Sequence, residues 1–106
     1  MAYFLCRLNP PRPTFAQDMS QAERAMMQTH VAYWMGHLQQ GKVLLFGPVA
    51  DPKGGWGVAV LAVQDEAEVR SLTGQDPAML SGLPFSYDIY PMPRVIVPPS
   101  PQAPQA

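Results

Sequence analysis

The sequence predicts an α+β domain with the element order β-α-β-β-α-β. Three observations carry that reading. Two segments open with a helix cap followed three residues later by glutamate, Ser20-Gln21-Ala22-Glu23 and Asp65-Glu66-Ala67-Glu68. Apolar runs of strand length, such as Val43 to Phe46 and Val58 to Val63, stand outside them. A glycine-bearing turn, Asp51-Pro52-Lys53-Gly54-Gly55, joins two of those runs directly, as in a hairpin.

Taken in order, Tyr3 to Leu8 reads as the first strand. Asn9-Pro10-Pro11-Arg12-Pro13 ends it, because proline cannot continue a ladder. The first helix runs from the Ser20 cap to about Gln40, with Gly41 as the left-handed residue that stops it. Lys42 to Val49 and Trp56 to Gln64 are the second and third strands. A second helix covers about Glu66 to Thr73 and stops at Gly74. Asp76-Pro77-Ala78-Met79-Leu80 reads as a single turn, capped by aspartate with proline at its first position. Pro84 to Met92 is the fourth strand. The domain is thus residues 1–92. Residues 93–106 form a Pro-rich tail expected to be extended or disordered, although its apolar start, Val95-Ile96-Val97, suits docking on a second subunit.

This order is the split βαβ, ferredoxin-like arrangement, an antiparallel sheet with both helices on one face. The other face must then be buried by something else, and a second sheet is the simplest partner, so a homodimer is expected. At 106 residues the chain is one domain. Its formal net charge is -1, and its seven Lys and Arg are scattered from Arg7 to Arg94. Nucleic-acid binding is disfavoured, since phosphate neutralisation needs clustered cations. No apolar run approaches the ~20 residues of a spanning helix, and no secretory leader is read at the N-terminus. The single cysteine, Cys6, fits a reducing cytoplasm and reads as a small core residue.

His30 is the candidate for chemistry. At about 100° per residue it shares one helical arc with Met27, Trp34 and His37, which aims it inward or at a cleft rim. An imidazole there needs a partner, and the lone carboxylate of Gly74-Gln75-Asp76-Pro77 is the obvious one. A His30–Asp76 dyad would act as an acid/base pair near neutral pH. The plainer alternative is that Asp76 only caps its turn and His30 is a satisfied core histidine. His37 lies two turns from His30, about 10.5 Å of rise, too far to share a metal, and reads as a surface or interface residue. Gly54-Gly55-Trp56-Gly57 precedes a strand and is no phosphate loop, though Trp56 could wall a pocket for a flat ring. Tyr33 could also wall the cleft, and Ser81 could donate a hydrogen bond in it. No haem, flavin, dinucleotide or metal motif is present, so no cofactor is expected.

Thr29-His30-Val31-Ala32-Tyr33, then Gly41-Lys42-Val43-Leu44-Leu45-Phe46-Gly47-Pro48, then Asp76-Pro77-Ala78-Met79-Leu80-Ser81-Gly82-Leu83 and the closing Tyr90-Pro91-Met92 resemble the YCII-related (YciI-like) family over residues 3 to 92. The resemblance implies a dimeric α+β barrel with a pocket where His30 meets Asp76, and with Gly47 and Pro48 at the end of the second strand. It implies a cofactor-independent lyase or isomerase acting by elimination or proton transfer on a small cyclic or aromatic organic acid. That family includes an enzyme that eliminates chloride from a chlorinated hydroxyhydroquinone, and the wider barrel superfamily includes muconolactone isomerases and monooxygenases. The alternative is a non-catalytic dimer that binds a small molecule or a protein through the same cleft. The chain departs from the pattern at Ala78, where the family often has an aromatic residue, and in lacking a basic residue shortly before His30. Both departures reshape the pocket.

Overall fold

The computed structural model describes residues 1–99. Its elements run β1 (Ala2–Asn9), α1 (Phe15–Asp18), α2 (Gln21–Gln39), β2 (Val43–Val49), β3 (Trp56–Val63), α3 (Glu66–Gly74), α4 (Pro77–Leu80) and β4 (Ser86–Met92). The four strands form one antiparallel sheet in the order β2-β3-β1-β4, the ferredoxin-like pattern.

Local chemistry explains the boundaries. Ser20 Oγ accepts from the Glu23 amide at 3.1 Å, and Glu23 Oε1 accepts from the Ser20 amide at 2.8 Å, so two otherwise orphaned donors at the start of α2 are satisfied. At its other end Gly41 takes φ +79°, a region glycine enters without a Cβ penalty. Asp65 caps α3 through the Glu68 amide at 3.0 Å.

The element absent from the sequence reading is α1. It is a single turn in the stretch after the prolines, fastened by Arg12. That guanidinium donates to Asp18 Oδ1 and to both Glu23 carboxylate oxygens, while Thr14 Oγ1 donates to Asp18. The bonds from Arg12 and from the Ser20 amide hold the Glu23 carboxyl down at about 2. Phe15 then sits edge-to-face on Phe85, with ring centroids 5.3 Å apart. The Pro10–Pro13 segment also rests on the hairpin turn. At Gly54, with φ +134°, a Cβ would come within 3.1 Å of Pro13, so glycine is required twice over.

Strand alternation assigns the side chains to two faces, although Val60 and Ala62 of the central β3 are buried on the face away from the helices. Phe4, Cys6 and Leu8 of β1 and Ala59, Leu61 and Val63 of β3 face the helices and are buried with Trp34, Val43, Val69 and Leu72. Burial pushes the Cys6 thiol up to about 11, which keeps it protonated. The opposite face carries the register partners Tyr3–Ala62, Leu5–Val60, Arg7–Val58 and Leu5–Tyr90, together with Leu45. Leu45 and Tyr90 are about half exposed there, at 49% and 52%. No helix among the described residues is long and apolar enough to cross a membrane.

After β4, residues 93–99 form no helix or strand, and Ile96 is exposed. The tail expected beyond Pro99 lies outside the described residues.

Candidate functional site

Three elements converge on one carboxylate. Asp76 is the N-cap of α4 and is fully buried. Its Oδ1 accepts from the Ala78 amide at 2.9 Å, which is the capping bond expected of an aspartate before Pro77. From α2, His30 Nδ1 lies 2.8 and 2.9 Å from the two oxygens, and Trp34 Nε1, one turn later, donates to Oδ2 at 2.9 Å. From β4, the Tyr87 hydroxyl donates to the same Oδ2 at 2.5 Å. The two readings of Asp76, turn cap and histidine partner, are therefore not alternatives, because each carboxylate oxygen serves more than one donor.

The electrostatics follow from that geometry. Burial pushes the Asp76 carboxyl up, but the hydrogen bonds from His30, Tyr87 and Trp34 and the imidazole charge outweigh it and hold it below the ordinary carboxylate value. Asp76 is thus ionised, and an ionised carboxylate only accepts. Tyr87 is pushed far upward, first by burial and then by the adjacent Asp76 charge, so it stays a protonated donor. The His30 proton is fixed by the same logic. Nδ1 faces an acceptor and must carry hydrogen, which in the neutral ring leaves the Nε2 lone pair free.

His30 is a lining residue of a cleft of about 270 Å³ between α2 and the sheet. The His30 side chain is 12% exposed, so it is reachable without being surface-bound. The end of β2 supplies Gly47 and Pro48 to the wall, β3 supplies Trp56, and Phe15 of α1 closes one side. Trp56 is held by a hydrogen bond from its Nε1 to Asp51 at 3.1 Å and by the Arg7 guanidinium, 4.3 Å from its ring centroid.

Two of the expected site residues point elsewhere. Tyr33 donates its hydroxyl to the Leu72 carbonyl at 2.6 Å and packs edge-on against Trp34, so it braces α2 on α3 and does not line the cleft. Ser81 donates to the Ala78 carbonyl at 2.6 Å and accepts from the Leu83 amide, closing the turn after α4, and is not among the cleft-lining residues. His37, expected at the surface or an interface, is half-buried in the single chain. It packs edge-on against Tyr33 and at a tilt against Trp34, and its Nδ1 is buried without a partner among the described residues.

Sequence reasoning missed Trp34 and Tyr87 as partners of Asp76. Trp34 had a usable signal, since it lies four residues after His30 on the same helical arc. Tyr87 had none, because only the β1–β4 register brings it under α4.

Residues 3–93 match the family model described as the YCII-related domain. No curated protein matches the chain.

Proposed function

The chain belongs to the YCII-related domain family, and from that premise we propose that it is a cofactor-independent acid/base enzyme acting on a small cyclic or aromatic compound in the cleft beside His30. One observation carries the reading: His30 Nδ1 is bonded to a buried, ionised Asp76, and His30 also lines the cleft.

In the proposed chemistry the acidic X–H bond of the substrate breaks, its electron pair stays on the substrate, and Nε2 takes the proton. The imidazolium so formed is stabilised by Asp76, which also fixes the ring orientation. Return of the proton to a different atom gives isomerisation. Expulsion of a leaving group by the electron pair gives elimination, and the proton then passes from Nε2 to solvent. Such a positioned base is worth about 10²–10⁴-fold.

A non-catalytic small-molecule binder is the second reading. It is favoured by the fact that His30 is the one uncommitted polar side chain in the lining among the described residues, so no second acid or base stands opposite it. We also propose a homodimer through the uncovered sheet face, which would bury Leu45 and Tyr90.

The test is proton exchange in D₂O across a panel of cyclic ketones, phenols and halogenated quinols, followed by NMR. Wild-type protein should accelerate exchange or elimination for some members, and His30→Ala should not. Equal rates for the two proteins across the panel would refute the enzyme reading.

A further inference from the structure

We infer that the cleft selects an uncharged ligand: a single small ring whose one polar contact is a hydroxyl or carbonyl-type group at His30, and not a carboxylate, phosphate or amine. This rests on the reading of the cleft as the binding site and narrows its substrate class. The organic acid expected from the sequence would therefore carry its acidic hydrogen on a neutral group.

The lining contains no Arg, Lys, Asp or Glu among the described residues; Arg7, which lies over the Trp56 ring, springs from the opposite sheet face and is not in the lining. The hydrogen-bond donors of the lining's polar side chains other than His30 are already spent. Trp34 Nε1 and the Tyr87 hydroxyl donate to Asp76, and Trp56 Nε1 donates to Asp51. The rest of the wall is apolar, including Leu8, Phe46, Phe85 and Met27. Protonating His30 supplies no net charge for an anionic guest, because the imidazolium is already neutralised by Asp76 at 2.8 Å. A carboxylate entering this cleft would lose its water and gain no counter-charge, the costly case of an unpaired buried ion. An ammonium would fare no better, since Asp76 is fully buried behind its donors. A neutral hydroxyl needs only one hydrogen bond, and Nε2 offers it.

The experiment titrates the full-length protein, at about pH 7.5, with three probes of matched shape: 4-methylphenol, 4-methylbenzoate and 4-methylbenzylammonium. At that pH the phenol is neutral, given a phenolic value near 10. Binding is followed by the fluorescence of Trp34 and Trp56, both in the lining, and by the imidazole NMR signals of His30. The phenol should bind about tenfold or more tighter than either ion and should perturb His30. Val31 lines the cleft yet is 45% exposed, so Val31→Lys adds a cation at the mouth without disturbing the core. That variant should narrow or reverse the gap between phenol and benzoate while leaving the ammonium weak. Benzoate binding as tightly as the phenol to wild type would overturn the inference while leaving the acid/base reading intact. It would mean that a cation outside the lining, such as the Arg7 guanidinium over the Trp56 ring, reaches the guest. Failure of all three probes to bind or to shift His30 would overturn both.

Discussion

Asp76 is the residue on which local structure and chemistry meet. One carboxylate caps α4, receives Trp34 and Tyr87, and pairs with His30, so its loss has a folding consequence and, under the proposed function, a catalytic one. In Asp76→Asn one oxygen becomes an NH₂, and at either position it faces an N–H donor, that of Ala78 at Oδ1 or of Trp34 at Oδ2. The expected cost is about 1–3 kcal/mol, measured by urea unfolding at neutral pH. The pH dependence has a definite sign. The folded carboxyl titrates below its unfolded value of about 3.9, so its stabilisation is fully present above that value and is lost as pH falls through the folded one. Wild-type stability should therefore fall more steeply than that of Asp76→Asn between about pH 5 and pH 2, which unfolding curves across that range would show. Parallel curves would mean that Asp76 is not held ionised by the fold. At this scale the sequence made the pairing of His30 with Asp76 legible through helical phase and through an isolated aspartate. The turned-away side chains of Tyr33 and Ser81 were not legible, because each is claimed by a carbonyl distant or local that only the folded backbone presents.

The elements were legible wherever a short-range bond decides them. The Ser20 capping box, the Asp65 cap, the left-handed Gly41 and the hairpin turn before Trp56 are all settled within a few residues. Ser20→Ala should cost about 1 kcal/mol by chemical denaturation. Because the same Glu23 that completes the box also holds Arg12, Glu23→Ala should cost more than Ser20→Ala and loosen the Pro10–Met19 segment, seen as faster amide exchange there. Equal effects would show that the Arg12 pairs contribute nothing beyond surface ion pairs. The α1 turn escaped the sequence because four residues give no periodicity, and its geometry comes from Arg12, Asp18 and the Phe15–Phe85 contact. It matters for the site, since Phe15, Ala16 and Met19 wall the cleft.

For the molecule as a whole, the β-α-β-β-α-β order was enough to place both main helices on one sheet face, and so to place His30 above the end of β2. It also implied an uncovered face, which the register pairs Leu5–Val60 and Leu5–Tyr90 now populate. We expect sedimentation at micromolar concentration to give twice the chain mass, and Leu45→Lys with Tyr90→Lys to shift the protein to monomer. A wild-type monomer would remove the dimer proposal. Truncation after Val97 should leave thermal unfolding unchanged, because Pro98 to Ala106 has almost no apolar content to bury. A drop of many degrees would instead place the tail against the domain, or across a dimer.

The central claim is that Asp76 holds His30 with hydrogen on Nδ1 and leaves Nε2 as the free base in the cleft. Long-range ¹H–¹⁵N NMR of the imidazoles at about pH 8, where an ordinary histidine is neutral, tests it directly. Spectra of His30→Gln and His37→Gln assign the two rings. The expected result is a protonated, pyrrole-type Nδ1 and an unprotonated, pyridine-type Nε2 for His30, with the Nε2 signal moving when a ring ligand binds. A His30 protonated on Nε2 instead, with Nδ1 bare, would contradict it.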